Sequence, residues 1–429
     1  MKIYVEGYGC SMNMAETEQI KGHSKENGFS LSAVPQDSDF LVINTCAVKG
    51  RTEFKMLRRI KKLNEIAKKN EKQLVVFGCL PKVNSVAIGK ISDDIIQIGP
   101  DLAKLSGVLG IDEQEFSPSI NPVNFNEHVT IVPIARGCTN FCTFCGTKFA
   151  RGNIKSYDPG AIKERIKNSL ATSKEFWLTG QDTGAYGLDI RTDLPELIKS
   201  ILEIKGDFRL RIGMMNPHHL KRIYSKLVPL FSDPRLYKFL HIPVQAGSDR
   251  ILKLMRRGYT VSQYCELIEK LKADVAGITI ATDIIVGFPT ESDEEYSKTV
   301  NLVKETLPDI VNVSKFAPRP GTVAAGMEQL AGHVLKSRST KLSSICRAIS
   351  LQNNSKLIGT SDIAYFSEIG SKGNFVGRLS NYKPVVIEKD LRGQFAKVEV
   401  KDAFVQWLDA KLVEEKEPQL VLSFMRSKA

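Results

Sequence analysis

Residues 136–145 read RGCTNFCTFC, so three thiols, Cys138, Cys142 and Cys145, fall within eight positions in a CxxxCxxC pattern. A β-prone run, VTIVPIARG (129–137), leads into them, which puts the cysteines in the loop that follows a strand. Zinc sites take paired cysteines and four protein ligands. Neither His128 nor a second CxxC supplies a fourth ligand here, and that ranks zinc second. An iron–sulfur cluster held by only three thiolates keeps one iron open to an exogenous ligand, a chemistry that three cysteines in one short loop can serve.

Around this loop, residues 129–320 alternate strand-like and helix-like segments six times. The strand candidates are VTIVPIARG, EFWLTGQ (175–181), RLRIGMM (209–215), FLHIPVQ (239–245), ITIATDIIVGF (278–288) and IVNVSKF (310–316). Helices are predicted at 159–172, 193–205, 217–231, 248–273 and 292–306. Six such units predict a partial (β/α)6 barrel of the triosephosphate-isomerase kind, with its active site at the strand C-termini, where the cysteine loop lies. Other rim residues fit a cofactor pocket there: Gln181 and Asp182 in GQDTGAYG, Gln245, Ser248, Arg256 and Arg257 in HIPVQAGSDRILKLMRRGYT, and Arg319 in KFAPRPGT. The competing reading is that Gly and Pro at strand ends mark only turns. Cys265 and Cys346 have no partner at useful spacing and read as helix core.

The first third of the chain repeats one arrangement. KIYVEGYGC (2–10), FLVINTC (40–46) and LVVFGC (74–79) are each a β-prone run ending in a cysteine, with helical stretches at 15–27 and 52–69 between them. That β-α-β-α-β order predicts a parallel sheet with right-handed crossovers, whose strand C-termini share one edge. Cys10, Cys46 and Cys79 therefore converge where such folds place their ligands. Gly9, Asn44 and Gly78 beside them suit tight turns. Three unrelated core cysteines are the alternative.

At 429 residues, 42% hydrophobic and 25% charged, the chain has the composition of a globular protein of two to four domains. The N-terminus MKIYVEGYGC has no apolar leader, and no apolar run approaches a membrane span, so a cytoplasmic protein without membrane contact is expected. Eight cysteines in that compartment read as ligands or core rather than disulfides. The net charge of +12 points to an anionic partner. It is unevenly placed: neutral over 1–133, +6 over 134–330, +5 over 331–360 and +1 over 361–429.

Two segments could carry phosphate contacts. Lys49 to Lys72 holds ten basic residues against three acidic, with apolar Phe54, Leu57, Ile60, Leu63 and Ile66 at every third position. It predicts a helix with one buried stripe and a basic outer face that includes Arg58, Arg59, Lys61 and Lys62. The acid-free segment 333–358 offers Lys336, Arg338, Lys341, Arg347 and Lys356. For both, a merely solvated face is the plain alternative. From residue 362 onward, apolar–polar alternation between glycine turns predicts a small β-barrel. The expected boundaries are 1–110, a linker 111–128, the barrel 129–330, a basic helix 331–360 and the tail barrel 361–425.

With three strand-end cysteines ahead of CxxxCxxC, the chain resembles the radical S-adenosylmethionine methylthiotransferases almost end to end. The stretches that carry the resemblance are GYGCSMNMAETE, VINTCAVK, VFGCLPK, ARGCTNFCTFCGTKFARGN, LTGQDTGAYG, HIPVQAGSDRILKLMRRGYT, DIIVGFPTESDEEY and FAPRPGTVAA. The resemblance implies a [4Fe–4S] cluster on Cys138, Cys142 and Cys145 whose open iron chelates S-adenosylmethionine, the electron from the cluster yielding a 5′-deoxyadenosyl radical. It also implies an auxiliary [4Fe–4S] cluster on Cys10, Cys46 and Cys79 that handles the sulfur, and a tail barrel similar to the RNA-binding TRAM domain. Implied partners are a tRNA anticodon stem-loop, an electron donor such as flavodoxin or ferredoxin, and a sulfur source. The runs GTKFARGN and NTCAVK resemble the archaeal and eukaryotic branch that acts on N6-threonylcarbamoyladenosine beside the anticodon. The alternatives are the branch for N6-isopentenyladenosine and the one for a ribosomal-protein aspartate. A two-cluster electron carrier or RNA-binding iron–sulfur protein is the non-enzymatic reading; such carriers complete their clusters with four cysteines and need no barrel.

Overall fold

The computed structural model describes residues 1–47 and 50–413. Lys49, at the start of the basic segment, and residues 414–425 of the expected tail barrel lie outside the described residues.

The first domain is a five-stranded parallel sheet in the order Ser30–Leu31, Lys2–Gly7, Phe40–Thr45, Gln73–Gly78, Ile96–Ile98. Its central strands, FLVINT and QLVVFG, are buried almost throughout because helices cover both faces, as a parallel sheet requires. The three predicted strands are there; the two short edge strands had no clear β signal. Helix Ser11–Glu26 starts directly after Cys10, and helix Gly50–Lys69 follows the second cysteine loop. In the latter the buried stripe is Met56, Ile60, Leu63 and Ala67, at the 3.6-residue period, while Phe54 is exposed. A stripe repeating every three residues drifts around a helix, and the drift turns Phe54 to solvent.

The segment expected as a linker packs closely. Phe116 and Ile120 join the core, with the Phe116 ring 6.0 Å from that of Phe77. Val132 and Ile134 of the next domain lie in the same continuous cluster as Val5, Val42 and Val75 of the first sheet. The first domain and the barrel thus share one hydrophobic core.

The six predicted barrel strands form two parallel three-stranded sheets. One is ordered Arg209–Arg211, Glu175–Thr179, Val129–Pro133; the other Phe239–His241, Thr279–Val286, Ile310–Lys315. A parallel bridge from Leu210 to Leu236 and the bond from Tyr237 N to Leu210 O join them into one curved wall. Strands Val129–Pro133 and Ile310–Lys315 do not pair, so the barrel is partial. The helix predicted over 248–273 is two helices, Asp249–Leu254 and Val261–Asp274. Arg256 (φ 56°) and Gly258 (φ 72°) enter the left-handed region, and Thr260 starts the second helix with a Thr–Gln capping box.

Helix Gly332–Ser355 leads to a closed five-stranded barrel in the order Ser361–Ile369, Phe375–Arg378, Pro384–Ile387, Leu408–Leu412, Phe395–Ala403. This small barrel docks on the partial one. Tyr365 Oη donates to His128 O (3.2 Å), Ser367 Oγ bonds Glu175, and Tyr382 packs its ring on Tyr237 and Phe239. No described helix is long and apolar enough to cross a membrane.

Candidate active site

Cys10, Cys46 and Cys79 follow the C-terminal ends of three adjacent parallel strands. Gly9 (φ 120°) passes so close to Cys46 that a Cβ on it would lie 2.4 Å from Cys46 Cβ and 3.0 Å from its sulfur. Cys79 N bonds Thr45 O at 2.9 Å, which aligns the second and third loops. Asn44 is not a turn residue: fully buried, it bonds Asn13 O and Thr17 Oγ1 and ties the sheet edge to the helix after Cys10. Cys46 and Cys79 are buried and Cys10 is exposed. Burial pushes the Cys79 thiol up to about 12; Arg151 opposes this, and the nearby Glu16, Cys46 and Cys10 reinforce it. A thiol so placed ionises when a cation or metal compensates it. Among the described residues, no three His, Cys, Asp or Glu side chains are grouped to hold a single ion. A cuboidal cluster instead takes each thiolate on a separate iron.

The second cysteine loop is pinned at both ends. Gly137 N donates to Gln181 Oε1 (2.6 Å), and a Cβ on Gly137 (φ 78°) would lie 1.9 Å from Asn153 O. Cys138 N bonds Gly152 O, and Thr143 Oγ1 bonds Leu254 O. Within the loop, Asn140 aims its backbone and side-chain N–H groups at Cys138 Sγ (3.4 and 3.5 Å). Arg257 Nη1 lies 3.3 Å from Cys142 Sγ, anchored by Pro243 O and Tyr259 Oη. These are donors placed where thiolate charge would reside. Burial raises the thiols of Cys138, to about 11, and of Cys145.

The expected rim residues divide. Gln181 holds the loop, as above. Asp182 is buried and accepts from Asn140 Nδ2 (2.9 Å) and Asn216 N (3.1 Å); burial raises its carboxyl to about 6. His219, beside it and bonded to Thr139, is pushed down to about 4 by burial, then His218 and Arg222. Arg257 meets Cys142, and Arg319 pairs with Glu53 of the first domain. Gln245 is buried with φ 76°, its backbone bonded to Asp283 and Ile285. Ser248 and Arg256 correct the expectation. Ser248 caps helix Asp249–Leu254 and bonds Glu295, beside an outer cleft of ≈ 720 Å³ that also takes in Arg250; Arg256 is exposed in the interhelical turn. A capping serine spends its hydroxyl on the helix end. The sequence reading missed Asn140, Asn216, His219, Arg151, Glu16 and Glu53; NPHHL at a strand end was the available signal for two of them.

The two cysteine sets stand on either side of one interface. Cys79 caps helix Leu80–Val83, Cys145 caps helix Gly146–Arg151, and these helices pack together, with Val83 within 3.2 Å of where a Gly146 Cβ would be. Arg151 crosses to Glu16 (2.5 and 2.8 Å) and Asn13 (3.1 Å), and Ser11 Oγ meets Thr179 Oγ1 at 2.7 Å. Arg319 Nη2 and His219 Nδ1 are buried without a hydrogen-bond partner among the described residues. These unpartnered polar atoms, with the glycine-lined close approaches at the cysteine loops, fit a bound group able to hydrogen-bond.

Of the expected phosphate contacts, Arg58, Lys61 and Lys62 are exposed on helix Gly50–Lys69, as are Lys336, Lys341 and Arg347 on helix Gly332–Ser355 and Lys356 just past its end. Arg59 turns inward to Glu6 (2.7 Å) and Tyr4. Arg338 is buried against Glu291 and Asp293, so its charge serves packing rather than phosphate. Tyr8, Phe54, Phe141 and Phe149 are exposed aromatic rings near the cysteine loops in sequence.

Two parallel α/β layers, each presenting three cysteines at its strand ends, define a radical S-adenosylmethionine enzyme with a second cysteine triplet and a small tail barrel. Residues 132–303 match the Radical SAM superfamily, residues 2–98 a family described as uncharacterized protein family UPF0004, and residues 364–413 the TRAM domain. A protein of Pyrococcus horikoshii named "Probable threonylcarbamoyladenosine tRNA methylthiotransferase" is 39% identical over 96% of this chain and 100% of its own length. The human "Threonylcarbamoyladenosine tRNA methylthiotransferase" is 32% identical over 93% of this chain and 72% of its own. Among solved structures, the radical S-adenosylmethionine methyltransferase TsrM of Kitasatospora setae shares the fold, with a TM-score of 0.58, 11% identity, and coverage of 76% of this chain and 77% of its own. The chain belongs to the threonylcarbamoyladenosine tRNA methylthiotransferase family.

Proposed function

We propose that this protein converts N6-threonylcarbamoyladenosine next to the tRNA anticodon to its 2-methylthio derivative. In that reading Cys138, Cys142 and Cys145 hold one [4Fe–4S] cluster and Cys10, Cys46 and Cys79 a second. The observation that carries it is the pairing of two cysteine triplets across one interface, helix Leu80–Val83 against helix Gly146–Arg151. Bound there, the clusters supply the electron that cleaves S-adenosylmethionine and a site for the sulfur to be inserted.

The protein's own groups have definable tasks. Arg257 offsets the charge of the Cys142 thiolate, and Asn140 holds Cys138 by two N–H groups. Asp182 fixes Asn140 in turn, which makes it a positioning residue. Gln181 and Lys148 lock the loop backbone at Gly137 and Cys138. The exposed cations of helices Gly50–Lys69 and Gly332–Ser355 supply phosphate contacts, and the exposed rings offer stacking faces for unpaired bases. A flavodoxin- or ferredoxin-type reductant and an external sulfur source complete the reaction.

The test is mass spectrometry of tRNA nucleosides from cells lacking this gene and complemented with wild type, Cys46→Ala or Cys142→Ala. Only wild type should restore the 2-methylthio mark on threonylcarbamoyladenosine. Purified, Cys142→Ala should lose reductive cleavage of S-adenosylmethionine, whereas Cys46→Ala should keep it and lose thiolation. Normal thiolation by folded Cys46→Ala protein, or a mark on isopentenyladenosine instead, would refute the assignment.

A further inference from the structure

The inner face of the partial barrel carries a half-exposed residue from each of five successive strands: Ile131, Trp177, Arg211, His241 and Asp283. Their neighbours in sequence, such as Phe176, Leu178, Leu210 and Leu240, are fully buried against the helices. The alternation shows that the first set lines the interior below the cysteine loops.

Arg211 is the exceptional member. It pairs in register with Trp177, and its guanidinium lies 5.3 Å from the Trp177 ring, 5.3 Å from Phe239 and 5.1 Å from Tyr382 of the tail barrel. Among the described residues it makes no ion pair and no hydrogen bond, and its Nε is buried and unpartnered. Elsewhere in the barrel Arg222, Arg235, Arg250, Arg257 and Arg319 all donate to carbonyls, carboxylates or sulfur; Arg209 on the same strand is also unpartnered at Nε, but it is buried, over the Phe395 ring. Stacking occupies the faces of a guanidinium and leaves its in-plane N–H fork unused. A fork of that kind, partly withdrawn from water, is completed by a planar anion, above all a carboxylate.

On the neighbouring strands, His241 Nε2 and Asn312 Nδ2 meet Asp283 Oδ1 at 3.0 and 2.8 Å. This polar row suits hydroxyl and ureido groups, and its own carboxylate directs a second anion toward Arg211. The threonylcarbamoyl arm has that set of groups: a ureido link, a hydroxyl and one free carboxylate. C2 and N6 lie on different edges of adenine, so a base with C2 toward the cysteine loops sends its N6 arm elsewhere, with the barrel interior below it.

Resting on the function proposed above, we propose that Arg211 takes the carboxylate of the substrate's N6 arm, and so selects threonylcarbamoyladenosine over adenosine with an uncharged or apolar arm. The aromatic rings hold the guanidinium in place, and Tyr382 makes the tail barrel part of the subsite.

The test uses the anaerobically reconstituted full chain and anticodon stem-loop RNAs bearing threonylcarbamoyladenosine, its methyl ester, or plain adenosine. Affinity for all three and kcat/KM for the first two are measured. Wild type should favour the carboxylate over the ester by about 30-fold, as for a charged hydrogen-bonding site denied its partner. Arg211→Gln should abolish that ratio without changing affinity for the plain RNA. Arg211→Lys, which keeps charge and stacking but not the fork, should fall between them. Equal losses on acid, ester and plain RNA would overturn the proposal, assigning Arg211 to packing or to a phosphate; an unchanged acid-to-ester ratio would overturn it as well. Should wild type bind the acid selectively yet thiolate nothing, the proposed reaction fails and the subsite stands.

Discussion

The ion pair between Glu16 and Arg151 links the two cysteine-bearing layers, and its removal has a calculable cost. Both side chains are 1% exposed, and Arg151 makes three charge-assisted or polar contacts, two to Glu16 and one to Asn13. Burial opposes the Arg151 charge, while Cys79, Glu16 and Cys10 hold it firmly charged. Removing one partner of a buried pair costs about 3–5 kcal/mol, because the other is left as an uncompensated charge. Glu16→Gln should fall near 3 kcal/mol, since Asn13 still accepts from the guanidinium and the amide oxygen replaces one acceptor. Arg151→Met should cost about the same, because Glu16 is then buried without its partner. The double variant removes both charges and should cost about 2 kcal/mol or less, far below the sum. Urea unfolding followed by circular dichroism, anaerobically and at one pH, gives all four corners of the cycle. Single costs under about 1 kcal/mol, or a double variant equal to the sum of the singles, would show that the two charges do not depend on each other and that this link does not hold the layers together.

Three further outcomes are expected. Charge reversal at Arg58, Lys61 and Lys62 should weaken tRNA binding and flatten the slope of log K against log[salt] by about 0.7–0.9 per lost phosphate contact. Arg338→Ala should instead lower thermal stability with tRNA affinity retained, and unchanged affinity in the reversal variant would mean that the helix face is only solvated. Burial raises the Glu18 carboxyl from 4.5 to about 7, outweighing the hydrogen bond from Phe125 N and the charges of Arg165 and Lys21. Its native pKa lies above its unfolded one, so the stability it contributes is complete below about pH 4.5 and lost as pH rises through about 7. Glu18→Gln should therefore be the more stable protein at pH 8 by about 1–3 kcal/mol, and parallel stability–pH curves for the two would contradict this.

The main elements were legible because each strand here is a compact β-prone run and each crossover an amphipathic helix, and a parallel sheet then forces Cys10, Cys46 and Cys79 to one edge. What sequence could not show is which polar groups spend their bonds internally. Arg338 and Lys341 look alike in the sequence, yet one is buried on Glu291 and the other is exposed. Ser248 and Gln181 both follow strands, but only Gln181 reaches the cysteine loop. The break at Arg256 to Thr260 was hidden because RRGYT carries one glycine and an ordinary capping threonine, while periodicity ran on across it. That break is what swings Arg257 from a helix face to Cys142.

Three buried arginines of the barrel segment stand at the cysteine loops and the domain contact. Arg257 faces Cys142, Arg151 faces Glu16 with Cys79 and Cys10 nearby, and Arg319 faces Glu53. Each stands where the fold gathers thiols or carboxylates away from water, and each is held by carbonyls, amides or acids that would not retain a flexible ammonium as well. Two of them, Arg151 and Arg319, reach from the barrel to the first domain. Arg151 does both at once, standing beside Cys79 and Cys10 and joining the layers through Glu16, so the charge of the first cysteine set is coupled to the domain contact. It follows that the cysteine sites and the domain contact should lose stability together when the thiolates are removed in pairs, one from each set, and separately from the tail barrel, whose own core, around Phe366, Val398 and Leu408, contains none of these residues.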